Sequence, residues 1–325
     1  MNNLPKQLGI IGIEVIVAIA LILSATYFLA PRLQSDLTQT ESSPAPIESA
    51  SATPVLPPPS PTVTLKPSAT PKPTTIPALT PKPISGPPGS GYSRITVKTE
   101  VGDFGVSVVS IDMAGVRMIT DTANDDNCSN DCSTLSLSDF VTRNGGFAGI
   151  NGSYFCPAAY PDCQDKKNSF DFPVYNTRLG KWINQDKLFW DNRALIYQDG
   201  GGIYFKKEAK SFGGSLLSGI TNYPSLLEGG NITVGDYTQS DKQQTKGVKG
   251  GIGIRGNIIY LVISSNVTMA EFAHIFKSLG AESALNLDGG SSAALWFGGY
   301  SASASSSAYK VGPGRLLPNA IIFAR

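Results

Sequence analysis

The stretch "ALNLDGGSSAALWF" (residues 284–297) sets one carboxylate, Asp288, between an apolar run and two glycines, Gly289 and Gly290, with the hydroxyls of Ser291 and Ser292 behind them. Asp-Gly between apolar runs is a strong hairpin signal. It is equally a way to build a site. Glycines beside an acid let a ligand approach the backbone closely and expose N–H groups to oxyanions, and the hydroxyls can donate to phosphate or sugar oxygens. The single histidine, His274, narrows the chemistry, because a Ser-His-Asp relay, a Cys-His pair or a histidine-based zinc site would have to use it. It lies in "TMAEFAHIFKSLG", which predicts a helix over 268–279. Thr268 and Glu271 stand in capping-box spacing at its start, and Gly280 stops it. Phe272, Phe276 and Leu279 form the apolar stripe and His274 falls roughly opposite, so His274 reads as a solvated helix residue.

Several elements must position Asp288. "FAGINGSYF" (147–155) brings an apolar strand to Asn151 and Gly152. "GVKGGIGI" (247–254) is a strand with a cation, Lys249, at its start. "GGIGIRGNIIYLVISS" reads as a hairpin turning at Arg255, Gly256 and Asn257, and the helix over 268–279 then leads into the strand that delivers Asn286 and Asp288. "ITVKTEVGDFGVSVVSI" alternates as strands do, and a short helical piece is expected at 136–143. Mixed strands with few helices predict an α+β fold, a single mixed-sheet domain over residues 92–325. Glu228 and Arg255 read as turn residues without a role. Large aromatics such as the tryptophans more often belong to the core, and Trp296, the nearest in sequence to the acid, is the one that could instead offer a sugar-stacking face.

The rest of the chain speaks to compartment. A net charge of +1 gives no reason to expect nucleic acid as a partner. Residues 8–30, "LGIIGIEVIVAIALILSATYFLA", are long enough to cross a bilayer and carry one charge, Glu14. Cleavage after Gly9 would make Ile10 the first residue, Glu14 the fifth and Pro31 the twenty-second. This resembles the N-terminus of type IV pilins and pseudopilins, and the resemblance implies that Glu14 pairs with the terminal amine of a neighbouring pilin-like subunit. Gly12 departs from the aliphatic usual there, and an uncleaved signal anchor is the other reading. Both put the remainder outside the cytoplasm, membrane-anchored at a cell surface or in a periplasm, and pilus-associated under the first. Residues 31–91 are rich in Pro, Ser and Thr, with fifteen prolines between Ser43 and Tyr92. Such a segment buries too little apolar surface to order itself and predicts an extended tether reaching at most ~190 Å. Cys128, Cys132, Cys156 and Cys163 are an even set in an extracytoplasmic region, which predicts two disulfides. Proximity selects 128 with 132 and 156 with 163 among the three pairings, with a zinc site as the alternative. The acid-rich stretch at 121–131 reads as a solvated, disulfide-pinned loop rather than a calcium loop.

Four segments in this order, "FAGINGSYF", "GVKGGIGI", "TMAEFAHIFKSLGAESALNLDGGSSAAL" and "GRLLPNAIIF", resemble the phosphodiester glycosidase domain over roughly residues 95–325. This is the family of the enzyme that uncovers the mannose 6-phosphate signal. The resemblance implies an α+β domain whose loops line a cleft, and hydrolysis of a sugar-1-phosphodiester at the anomeric bond. Three positions depart from the family pattern: Lys249 where an arginine is usual, Ser291 where a third glycine often follows, and Asn222-Tyr223-Pro224 in place of Gly-Gly-Pro. A glycosyl phosphate loses its leaving group as a stabilised anion, so strong acid catalysis is not needed. One carboxylate, expected to be Asp288, suffices to act at the sugar. Asn151, Gly152, Lys249, Asn286, Gly289, Gly290, Ser291 and Ser292 are the expected substrate-binding residues, the substrate being a sugar-phosphate-containing glycan. No cofactor is required by this chemistry, and the sequence leaves a divalent cation open. A non-catalytic glycan-binding module that keeps the fold is the alternative from a different class.

Overall fold

Apolar residues fill both faces of the central hairpin, and this organises the molecule. In the computed structural model, which describes residue 86 and residues 88–299 and 308–325, a seven-stranded sheet is built from β1 (Gly91–Thr99), β2 (Gly102–Asp112), β10 (Ser225–Glu228), β11 (Asn231–Ile232), β12 (Gly247–Arg255), β13 (Ile258–Val267) and β14 (Ser283–Leu287). Its order is β1-β2-β13-β12-β14-β10-β11. Along β13, Ile259, Leu261 and Ile263 enter one core while Tyr260 and Val262 enter another. A strand buried on both sides has no polar alternation, which is why "NIIYLVIS" reads as a continuous apolar run.

On one face lies the helix α3 (Met269–Ser278), preceded by the short helices α1 (Leu137–Arg143) and α2 (Asp241–Gln244) in chain order. Thr268 caps α3 and forms the predicted box with Glu271. The helix packs so closely that a methyl at Gly251 would stand 3.0 Å from the rings of Phe272 and Phe276, and one at Gly253 would stand 2.7 Å from Phe276. The Gly-Gly-Ile-Gly-Ile run is therefore a seat for two phenylalanines on one side, with Ile252 and Ile254 in the core on the other.

Against the opposite face pack two five-stranded sheets. The first holds β3 (Arg117–Thr122), β4 (Ala148–Asn151), β15 (Leu295–Phe297), β16 (Tyr309–Val311) and β17 (Asn319–Ala324); the second holds β5 (Val174–Asn176), β6 (Lys181–Ile183), β7 (Ala194–Gln198), β8 (Ile203–Lys206) and β9 (Ser218–Asn222). The fold is mostly sheet with few helices, in a single domain. The expectation of one mixed sheet needs correction: there are three sheets, and every named strand pair within them is antiparallel.

Both local disulfides form, Cys128–Cys132 and Cys156–Cys163, with Cα separations of 5.7 and 5.4 Å. The acid-rich loop is pinned by the first of them, and its acids are neutralised from outside: Asp121 by Arg143 at 2.7 Å, Asp125 by Arg178, and Asp126 by Lys181 at 2.5 Å. Among the described residues no helix is long and apolar enough to cross a membrane. The leader, the segment 8–30 with Glu14, and the Pro-rich segment up to residue 85 lie outside the described residues.

Candidate active site

The Asp-Gly-Gly-Ser loop is not a hairpin. β14 and β15 belong to different sheets, and the chain crosses between them through a single 3-10 turn, Gly290–Ser292. The crossing leaves Asp288 half-buried on the wall of a cavity of about 610 Å³ that Asn286, Gly289, Gly290, Ser292 and Lys249 also line.

The loop is held from behind by the end of β4. The Asp288 N–H donates to the Gly152 carbonyl at 2.9 Å, and Asn151 Nδ2 donates to the Asp288 carbonyl at 2.8 Å. Asn151 Oδ1 accepts from the Ala294 N–H at 3.0 Å, so one side chain fastens both ends of the loop. Asn319 in turn supports the β4 end, its Oδ1 accepting from the Ser153 N–H at 2.8 Å. A methyl on Gly152 would lie 1.8 Å from that oxygen, so only glycine fits there.

Asn151 and Gly152 were expected to meet substrate. Instead Asn151 is 0% exposed, its amide is spent on backbone, and neither residue lines the cavity. Ser291 also lies off the wall, its Oγ accepting from Arg315 Nε at 3.1 Å. Lys249 does line the cavity, yet the residue is only 7% exposed and its ammonium donates to the carbonyls of Lys242 at 2.8 Å and Thr245 at 3.2 Å, just where α2 ends. A lysine at a helix C-terminus satisfies carbonyls that have no helical partner, and burial lowers its pKa. It serves first as a structural cap. Trp296, the candidate stacking face, is 1% exposed and packs edge-on against Tyr309 at 4.9 Å, because β15 pairs with β4 and turns the ring into the core.

Burial pushes the Asp288 carboxyl up to about 6, against the pull of hydrogen bonds from Ser292 and the Gly289 N–H and of the Arg315 and Lys242 charges. Two polar groups converge beside it. Asn286 donates through Nδ2 to the Tyr154 hydroxyl at 2.7 Å and to the Tyr223 carbonyl at 3.1 Å, which leaves its Oδ1 buried with no hydrogen-bond partner. Tyr154 receives that bond and a longer one from Gln243 at 3.5 Å, so its own O–H is what it has left to offer. Burial raises its pKa too, keeping it a donor at neutral pH. The cavity wall thus carries a carboxylate and a phenol donor, with the unmet Asn286 amide oxygen enclosed in the same wall, a set suited to a polyhydroxylated ligand.

The remaining wall is aromatic and cationic. Phe172 and Tyr223 stack at 5.7 Å, and Tyr154 meets them edge-on at 6.0 and 5.4 Å. Tyr160, on the loop closed by Cys156–Cys163, has Lys242 at 4.9 Å and Arg315 at 5.0 Å over its ring. Tyr154, Tyr160, Phe172, Tyr223, Lys242 and Arg315 carried no expected role. Tyr154 and Arg315 sit inside the "INGSYF" and "GRLLPNAIIF" segments, and that position was the one available signal. His274 lies on α3 with Nδ1 3.8 Å from Glu100 and takes no part. Among the described residues no three His, Cys, Asp or Glu side chains are grouped to hold a metal ion.

Comparison with known proteins bears on the fold and the family. The catalytic domain of zebrafish N-acetylglucosamine-1-phosphodiester alpha-N-acetylglucosaminidase, solved in a form auto-inhibited by its pro-peptide, is 14% identical with a TM-score of 0.51. The match covers 74% of this chain and 87% of that one, and at this identity it speaks for the fold. A hypothetical protein from Synechocystis is 17% identical with a TM-score of 0.44 over 72% of this chain, which spans 62% of its length. No curated protein sequence matches. The phosphodiester glycosidase family profile matches residues 147–324, more than half of the chain, and so includes both the Asn151 clamp and the Asp288 loop: the chain belongs to the phosphodiester glycosidase family.

Proposed function

We propose that the protein is an extracytoplasmic hydrolase that cleaves a sugar-1-phosphodiester in a glycan, with Asp288 as its catalytic carboxylate. The observation that carries this reading is the position of Asp288, desolvated on the cavity wall beside the unpartnered Asn286 Oδ1 and the Tyr154 hydroxyl. The amide oxygen would accept from a sugar hydroxyl, and the phenol would donate to a sugar or phosphate oxygen. Lys242 lines the cavity, and Arg315 is close enough for its charge to act on Asp288. The pair would offset the charge of the diester and then of the departing phosphate monoester. In the reaction the bond from the anomeric carbon to the phosphate oxygen breaks, and the monoester leaves as an anion. Water supplies hydroxyl to the sugar, and its proton passes to Asp288 or, after attack by the carboxylate itself, to solvent. Two disulfides support a compartment outside the cytoplasm.

A p-nitrophenyl sugar-1-phosphodiester panel tests this directly. Cleavage at the sugar releases p-nitrophenyl phosphate, which turns yellow only when a phosphatase is added, whereas cleavage at the phosphorus–aryl bond gives colour at once. Phosphatase-dependent colour lost in Asp288→Asn supports the reading. Immediate colour, or equal rates for wild type and Asp288→Asn, overturns it. The glycan-binding alternative draws on one observation, the commitment of Lys249 to backbone carbonyls. It predicts sugar binding with no turnover on any member of the panel.

A further inference from the structure

A second cavity, of about 430 Å³, lies on the other side of the aromatic wall. Phe172 and Tyr223, the stacked pair of the Asp288 cavity, line it as well, together with Asn192, Arg193, Asp171 and Asp191 among others. Its charges are unequally matched. Asp171 pairs with Lys187, and Asp191 pairs with Lys210 at 2.6 Å, so both carboxylates already have cations outside the cavity. Arg193 has no such partner. Among the described residues no ion pair or side-chain hydrogen bond involves its guanidinium, and its Nε is buried without a hydrogen-bond partner. Asp171 is near enough for its field to act on Arg193. That acid nevertheless gives its hydrogen bond to Lys187.

The guanidinium is fixed by aromatic rings rather than by acids, lying 4.3 Å from the centre of Phe172 and 4.7 Å from that of Trp190. Rings that hold a guanidinium by its faces leave its edge, with the N–H donors, free to meet an oxyanion in two parallel hydrogen bonds. Nε is enclosed without a partner, so the N–H donors open to a ligand are those of the two terminal nitrogens. Trp190, 48% exposed, lies outside the cavity lining, with Lys187 Nζ 5.6 Å from the centre of its ring as well, so a second cation stands near Arg193. The cavity therefore combines an anion-seeking fork and the Asn192 amide, and it shares the Phe172–Tyr223 wall with the cavity that holds Asp288.

We infer that this second cavity is a subsite for an anionic sugar unit, one bearing a carboxylate or a phosphate, and that Arg193 reads the charge. It is placed to take the unit of the glycan next to the one held over Asp288, and in that respect the inference rests on the proposed function. Arg193 is accordingly a specificity-determining residue, with no part in bond cleavage.

The test is a titration followed through the Trp190 indole N–H resonance, with glucuronate, glucose 6-phosphate, glucose and inorganic phosphate as probes. It is run on the Asp288→Asn protein so that turnover plays no part. At least one anionic sugar should bind ten-fold or more tightly than glucose, and which one it is tells carboxylate from phosphate. Arg193→Met should abolish the preference, while Arg193→Lys, which keeps the charge but not the fork, should weaken it several-fold and covers the case in which the methionine variant does not fold. Equal binding of glucose and both anionic sugars, an unchanged preference in the Arg193 variants, or inorganic phosphate binding as tightly as glucose 6-phosphate would each overturn the inference. The two readings fail separately. Anion preference at Arg193 without hydrolysis of the panel removes the enzyme and leaves the subsite, and hydrolysis without anion preference does the reverse.

Discussion

Two segments of this chain follow one pattern and meet opposite fates. Residues 148–152 run as a buried strand into Asn151-Gly152, and residues 284–289 run as a buried strand into Asp288-Gly289. The first becomes a clamp with its side chain fully enclosed, and the second opens on a cavity. Side-chain chemistry explains the assignment. An amide carries a donor and an acceptor, so Asn151 can hold the carbonyl of Asp288 and the N–H of Ala294 together. An ionised carboxylate only accepts. It can take the Gly289 N–H at 2.8 Å but would repel a carbonyl, so it is suited to the open side. Exchanging the two chemistries is therefore informative in both directions.

The largest effect belongs to Asp288→Asn, which keeps the shape and removes the charge. Turnover on the phosphodiester panel should fall by about 10²–10⁴, the usual worth of a positioned acid–base group. In the wild type, kcat/KM should rise through pH about 6 and then level, since the ionised form is the active one. Stability should move the other way. The folded carboxyl holds its proton up to about 6, against 3.8 for the ordinary value, so its contribution to stability declines as pH rises from 3.8 to 6 and stays low above that. By linkage Asp288→Asn should unfold at higher urea than wild type at pH 8, by roughly 1–3 kcal/mol, with the gain vanishing near pH 4. A stability difference between variant and wild type that is the same at both pH values would show that Asp288 is not desolvated.

The reverse exchange, Asn151→Asp, comes next in size. It removes the donor to the Asp288 carbonyl and sets a carboxylate against that carbonyl in a site without solvent. A loss of about 3 kcal/mol is expected, which lowers Tm by roughly 6–12 °C for a domain of this length. Residual activity should scale with the folded fraction. A mutant of normal Tm with no activity would instead return Asn151 to the substrate side, as its sequence position suggested.

These contrasts also show how far the sequence could be read. Thr268, Glu271 and Gly280 are local signals, and they placed α3 because a capped helix needs only its own residues. The two disulfides were legible for the same reason, each closing a short loop. The roles of Asn151 and Lys249 were not, because each depends on a partner brought from elsewhere: the loop ends at 288 and 294 for one, the carbonyls of 242 and 245 for the other. Phe172, Tyr223 and Arg193 lie in segments without periodicity, and nothing local marks them as neighbours of an acid at 288. Trp296 takes the core place common for a large aromatic: it is close to Asp288 in sequence, but the crossing between sheets turns it inward.

The smallest effect tests the glycines of the loop, whose value to a ligand was the first expectation from sequence. Gly289 and Gly290 are not equivalent. A methyl on Gly289 would lie 2.4 Å from the Val248 carbonyl, so Gly289 is required by packing against β12. Gly290 has φ +58 with nothing within 4 Å of where a methyl would stand, on the open side of the loop. Gly290→Ala therefore meets no clash, and its cost is that of a left-handed backbone for an L-residue, about 1 kcal/mol, or 2–4 °C in Tm. What that methyl does to kinetics is decisive for the pattern shared with Asn151-Gly152. If a ligand rests against this face of the loop, KM for the phosphodiester should rise several-fold with kcat nearly unchanged, because the methyl takes up room without touching the carboxylate. If KM and kcat both stay at wild-type values, Gly290 serves the turn alone. The loop would then resemble its buried counterpart in everything but the acid it carries.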